Sequence, residues 1–270
     1  MPDITRLHMT DIVLTDIAAN GVGTITFNRP DVNNAYNGDM IMALIDAVER
    51  FAADDQVRVI VLRGNGKHFQ AGANLSWVRG NREKSWNENL QISRNTTHAV
   101  QALTTVPKAT VALVHGGCFG GGTGIATACD IVVSAEDAIF SITEARWGLM
   151  ASPIYPQLLS RLGPGRTRRY SLTCERFDGR RALEIGLVDE VCKATELDAT
   201  AAPLIDALLH CPPAAVAASK TAILKYANLY FSALEHEEMS VPHATIRLSD
   251  EAGEGLASFL EKRPPNWYPG

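Results

Sequence analysis

Three short stretches place chemically useful groups at the ends of predicted elements. The first, "HGGCFGGGTGIATACD" (residues 115–130), puts six of the chain's 21 glycines into positions 115–124. The second, "HFQAGANL" (68–75), repeats the theme of a strand, small residues and a helix start. The third, "AIFSITEARWGL" (138–149), carries Glu144 directly after a predicted strand in an apolar stretch. Bare backbone amides at two strand ends can converge on one oxygen atom, and two such donors make an oxyanion hole. A carboxylate beside them can move protons, and apolar surroundings raise its pKa toward neutrality. Plainer readings compete with these. Glycines also let a helix pack close to a sheet. Glu144 after Thr143 also fits the first turn of a capped helix. The residues alone leave both pairs of readings open.

Other chemistries fit the glycines less well. A dinucleotide fingerprint needs glycines at i, i+2 and i+5. Gly122 and Gly124 are followed by Thr127, and Gly120 and Gly122 by Ile125. Glu136 ends the next strand, but the intervening helix is short and the unit begins mid-chain. No phosphate-loop motif and no G-x-S-x-G elbow occurs. His68 and His115 flank the two amide segments and read as packed, hydrogen-bonded histidines. Cys118 reads as a small buried residue, and Asp130 as a helix cap or local partner.

These groups need elements to hold them. "DIVLTDI" and "GVGTITFNRP" read as a strand pair turning at "AANG". Met40, Ile41, Leu44, Ile45, Val48 and Phe51 recur at helical spacing, with Asn37 as the cap. "VRVIVLRG" reads as a buried strand. "RGNREKSWNENL" reads as polar and mobile, ahead of a long helix to about Leu103. "KATVALV" and "IVVSA" flank the glycine cluster as strands. From Glu144 onward the pattern turns helical. An α/β core, residues 1–200, followed by a helical region, 201–270, is the expected organisation.

Composition narrows the function classes. The 270 residues are 46% hydrophobic and 20% charged, enough for a sizeable core. A net charge of −5 argues against nucleic acid as the main partner. The five cysteines show no C-x-x-C and no zinc spacing, so they read as reduced thiols and no metal is expected. No apolar run has the length of a membrane span, and "MPDITRLHMTD" lacks a signal-peptide core, so a cytoplasmic protein with no membrane partner is expected.

Six ordered pieces, "ITFNRPDVNNAY", "FQAGANLSWV", "VHGGCFGGGTGIATACDI", "FSITEARWGL", "RRALEIGLVDEV" and "GLASFLEKRPP", give nearly the whole chain a resemblance to the crotonase (enoyl-CoA hydratase/isomerase) superfamily. The resemblance implies a superhelical spiral of ββα units with a helical trimerisation region. It also implies a trimer or dimer of trimers acting on an acyl-CoA thioester. No cofactor is implied beyond the coenzyme A of the substrate.

Residue by residue, the resemblance implies that the Ala73 and Gly121 amides form the oxyanion hole and that Glu144 is the catalytic carboxylate. Arg29, Asp31 and Val32 match the segment cradling the CoA adenine and pantetheine. Phe259 and Lys262 match C-terminal positions that reach a CoA, often from the neighbouring subunit. Ala71, Asn74, Leu75 and Gly120 border the amide segments, Asn74 where the family often has aspartate. Trp77, Trp147, Met150 and Tyr155 are expected along an acyl pocket. Gly124 stands where two-glutamate hydratases keep their first glutamate, and it is expected to leave room there for a bulkier acyl group or for water. The stretches around Gly124 and Glu144 most resemble the branch of methylglutaconyl-CoA and isohexenylglutaconyl-CoA hydratases. An enoyl-CoA hydratase is therefore the implied activity, for a branched or glutaconyl-type acyl group. The alternatives are a 3,2-enoyl-CoA isomerase and a non-catalytic CoA-binding protein. For a substrate with a distal carboxylate, Arg79, Arg82, Lys84, Arg94 and Arg146 are the candidate cations.

Overall fold

Strands β1 (Val13–Ile17) and β2 (Val22–Phe27) pair antiparallel, with Val13 opposite Phe27. They belong to a computed structural model that describes residues 12–269, so the N-terminal stretch lacking a signal-peptide core lies outside the described residues. Helix α1 (Gly38–Ala53) follows, and Asn37 Oδ1 accepts from the Met40 amide at 3.1 Å. That bond satisfies one of the helix's orphan donors. The six apolar residues at helical spacing are all buried.

Strand β3 (Val59–Gly64) runs parallel to β2. Helix α2 (Leu75–Asn81) is capped by Asn74, whose Oδ1 accepts from the Trp77 amide at 3.0 Å. Helix α3 (Trp86–Thr105) begins inside the stretch expected to be mobile. Ser85 and Glu88 close a reciprocal capping box there, which fixes the start of α3.

Strand β4 (Ala109–Val114) continues the parallel sheet, and β5 (Gly117–Phe119) leaves it. Helix α4 (Gly121–Ala128), β6 (Ile131–Ala135) and β7 (Ile139–Ser141) come next. Beyond Glu144 lie α5 (Tyr155–Thr173), β8 (Phe177–Asp178), α6 (Gly179–Glu184) and β9 (Glu190–Cys192). Helices α7 (Leu197–His210), α8 (Pro213–Tyr226), α9 (Ala233–Arg247) and α10 (Asp250–Leu260) complete the chain.

The main sheet has six strands in the order β1-β2-β3-β4-β6-β9, and β5, β7 and β8 form a second sheet. This is an α/β fold with a mixed sheet and a helical C-terminal region, as the sequence led us to expect. Period-two alternation puts Ile60, Leu62, Ala112 and Val114 in the main core. It puts Val59, Val61, Val111 and Leu113 on the other face, packed with Leu197 and Ala201 of α7. A sheet covered on both faces explains why β3 and β4 read as nearly continuous apolar runs. Helix α7 spans residue 200. Helices α9 and α10 fold back over the core, α9 along α3 and α10 against α2 and the Glu144–Trp147 turn. Among the described residues no single helix is long and apolar enough to cross a membrane.

Candidate active site

The two amide segments lie side by side. Gln70 and Cys118 form a parallel bridge in which Gln70 N donates to Gly117 O at 3.1 Å and Phe119 N to Gln70 O at 3.0 Å. Two glycines are needed where the segments meet. Gly72 has φ 83°, and a Cβ there would lie 2.9 Å from Phe119 O. Gly120 has φ 51°, and a Cβ there would lie 2.7 Å from Glu144 Oε1. Ala73 bridges Tyr36, with Tyr36 N donating to Gly72 O and Asn74 N to Tyr36 O. Those bonds flank Ala73 and leave its own N–H without a backbone acceptor among the described residues. Gly121 is the first residue of α4, so its N–H is an orphan donor at a helix N-terminus.

Glu144 follows β7 and opens a 3-10 turn, Glu144–Trp147. The Thr143 side chain does not cap that turn, so the capping reading of the pair is not met. The residue is half-buried, but Oε2 is fully covered and has no hydrogen-bond partner among the described residues. Burial pushes the carboxyl up to about 7, against the pull of the Glu144, Thr143 and Gly121 amides. An acid poised near neutrality can both accept and return a proton at physiological pH.

The carboxyl faces a cavity of about 430 Å³. Besides Ala73, Gly121 and Glu144, the cavity brings together Val32, Ala71, Asn74, Leu75, Trp77, Gly120, Trp147, Met150 and Phe259. Trp147 and Phe259 meet edge to face at 4.8 Å, so Phe259 reaches the site within its own chain. Five expected residues are not in its wall. Arg29 Nη1 donates to Ala35 O at 2.6 Å and holds the turn around Pro30–Val32. Asp31 and Lys262 are exposed. Gly124 is buried, and Ile154 occupies the space a side chain on it would need. The expected room beside Gly124 is therefore absent, and Ile154 itself lines the cavity. Tyr155 also lies outside the wall and packs against the core instead.

The structural readings of the neighbouring residues stand. His68 Nδ1 accepts from the Gly117 amide at 2.7 Å, and His115 Nε2 lies 2.9 Å from Gly66 O. Cys118 is buried, which raises its thiol well above the usual range. Asp130 pairs with Lys220 at 2.8 Å and accepts from the Thr110 amide and hydroxyl.

Tyr36 and Arg247 are among the cavity residues that carried no expectation from sequence. Tyr36 is buried, stacks edge to face on Trp77 at 6.3 Å, and would have its hydroxyl 2.8 Å from a Cβ on Gly121. Burial and Glu144 raise its phenol, and Arg247 lowers it. Arg247 is 3% exposed and lines the cavity with His243, one helical turn earlier on α9. The five cations proposed from sequence do not line it. Arg79, Lys84 and Arg146 are exposed, Arg94 pairs with Glu237 at 2.6 Å, and Arg82 Nη1 donates to Arg247 O and Ser249 O. The "HATIR" spacing, a histidine and an arginine four apart on a helix, was the available signal.

Two backbone donors beside one neutral-range carboxyl, at the head of a largely apolar cavity, suit proton transfer next to a carbonyl whose oxygen gains negative charge. The comparisons agree with that class of site. The chain belongs to the enoyl-CoA hydratase/isomerase family, whose sequence model matches residues 18–269. It is 29% identical to the 2,3-dehydroadipyl-CoA hydratase of Escherichia coli, over 90% of this chain and 93% of that protein. It is 28% identical to a mitochondrial Delta(3,5)-Delta(2,4)-dienoyl-CoA isomerase of Dictyostelium discoideum, over 98% of this chain and 94% of that protein. The crystal structure of an enoyl-CoA hydratase from Shewanella pealeana superposes with a TM-score of 0.78 at 34% identity, covering 97% of each chain.

Proposed function

We propose that the protein is a hydratase of 2-enoyl-CoA thioesters with Glu144 as its single acid–base group. One observation carries this reading: among the described residues Glu144 is the only carboxylate lining the cavity, and it sits beside the Gly121 amide. The thioester oxygen accepts hydrogen bonds from the Ala73 and Gly121 amides. Ionised Glu144 takes a proton from water as the water oxygen bonds to the β-carbon. The electron pair of the double bond moves onto the α-carbon and the thioester oxygen, giving an enolate held by the two amides. The same carboxyl then returns the proton to the α-carbon. Water is consumed, and no redox partner or further cofactor is needed.

A glutaconyl-type acyl group fits the branch the sequence most resembles. A preference for branching loses its physical ground, because Ile154 fills the space beside Gly124. That same apolar side chain favours a second reading, a 3,2-enoyl-CoA isomerase. There Glu144 would move a proton from the α- to the γ-carbon without water. Retention of Glu144 speaks against a non-catalytic CoA-binding protein. We read the assembly as a trimer or dimer of trimers, because the C-terminal helices expose large apolar side chains, Ile223 and Leu234 among them.

Product analysis in H₂¹⁸O with a panel of 2-enoyl and 3-enoyl thioesters tests the reading. Label in a 3-hydroxyacyl product is the expected result. Double-bond migration without label, and no hydration of any 2-enoyl thioester, would transfer the assignment to the isomerase.

A further inference from the structure

Among the described residues, Arg247 is a buried cation without an anion. Its Nη1 donates to Asn89 O and Oδ1 at 3.4 and 3.3 Å, and Nη2 to Ser93 Oγ at 3.3 Å and His243 Nδ1 at 3.2 Å. Each of these acceptors is neutral, and each bond is long for a guanidinium. No carboxylate among the described residues pairs with it. Burial lowers it to about 10, so it stays charged at neutral pH. Burial, and then the same cation, hold His243 neutral, well below the usual range. A desolvated charge with no partner is costly in a fold.

The surroundings hold the guanidinium in place without neutralising it. Asn89 is fully buried, and its Nδ2 donates to Asn81 O, Lys84 O and Ser85 O, which turns Oδ1 toward Arg247. Ser93 Oγ lies 3.0 Å from His243 Nδ1, so α3 and α9 clamp the group between them. Arg82 holds the Arg247 carbonyl. The Tyr36 phenol, another cavity residue, is pulled down by this charge against the opposing effects of burial and Glu144.

We propose that Arg247 is a specificity residue that binds a carboxylate at the far end of the acyl group, so that the substrate class is an ω-carboxylated 2-enoyl-CoA thioester. This rests on the reading of the cavity as an acyl-CoA site. A guanidinium offers a planar fork of donors that matches a carboxylate in two-point contact. Tyr36 and His243 stand in the same wall as neutral hydrogen-bonding groups. Arg176 also borders the cavity, but it is exposed and lies over the Phe119 ring at 5.6 Å, where water screens it.

The test is calorimetric binding of matched saturated thioesters that differ only at the tail: glutaryl-CoA against pentanoyl-CoA, and adipyl-CoA against hexanoyl-CoA. The wild-type protein is expected to bind the carboxylated member of at least one pair roughly ten- to a hundred-fold more tightly. Arg247→Gln should bring that ratio close to one by weakening the carboxylated member alone, and Arg247→Lys should keep part of it. A wild-type ratio of one or below in both pairs overturns the proposal, and needs no variant that folds. Equal weakening of both members in Arg247→Gln, or loss of the preference in Arg176→Gln instead, also overturns it. Binding needs no turnover. A protein that prefers the carboxylated thioester but hydrates nothing defeats the hydratase reading alone, and a hydratase without the preference defeats this proposal alone.

Discussion

The side chain of Ile154 occupies the space beside Gly124 Cα, so a Cβ on residue 124 would overlap Ile154 Cγ2. Gly124 is thus held by packing. Gly124→Ala is expected to destabilise the protein by about 1–3 kcal/mol through overpacking. In an Ile154→Ala background the same change should cost less than about 0.5 kcal/mol, because the two sites share one volume. Urea denaturation of the four proteins measures this coupling. Strictly additive effects would show that Ile154 does not fill the site.

Burial raises the Glu144 carboxyl from 4.5 to about 7. Between those values the folded state keeps a proton that the unfolded chain releases, so stability falls as pH rises through that window. Glutamine cannot ionise. Glu144→Gln should therefore match the wild type below pH about 4 and exceed it by about 1–3 kcal/mol at pH about 8, a range discounted for the half-exposed residue. Thermal unfolding across pH reads this directly, and a difference that does not change with pH counts against the shifted carboxyl.

Ala73→Pro removes one amide from the pair assigned to the thioester oxygen. That N–H has no backbone acceptor among the described residues, so no fold hydrogen bond is lost with it. The rate should fall by about 10²–10³. Gly121→Pro is a poorer test, because a Cβ on Gly121 would lie 2.7 Å from Tyr36 Cε1. Circular dichroism establishes that Ala73→Pro is folded, and the carbonyl stretch of a bound acyl-CoA should lose its downward shift. An unchanged rate and carbonyl stretch in the folded variant would remove Ala73 from the site.

Much of the site was legible in local sequence, because its parts are local. The glycine segments, the Asn37 cap and the strand before Glu144 all depend on neighbours a few residues away. The start of α3 was misjudged: the stretch was expected to be mobile on its polar composition, although Ser85 and Glu88 form a capping box within it. Strands β5 and β8 of the second sheet were not legible, because segments as short as Gly117–Phe119 show no period. Arg247, Tyr36 and Ile154 reach the cavity from distant parts of the chain, and only packing brings them together.

The exposed apolar side chains of the C-terminal helices predict association. Tyr226 is 83% exposed, Leu234 69% and Ile223 64%. Sedimentation at micromolar concentration should show three or six copies of the 29.2 kDa chain. A monomer under those conditions would contradict the assembly, though not the site chemistry.

The central claim is that Glu144 carries the proton transfers of thioester hydration. Turnover of the best 2-enoyl-CoA by Glu144→Gln, with acyl-CoA binding measured alongside, tests it most directly. The amide keeps the size of the carboxyl but cannot take a proton from water at neutral pH. Binding should stay within a few-fold of wild type while the rate falls by at least about 10²–10⁴. A folded Glu144→Gln protein that keeps more than half the wild-type rate would contradict the account.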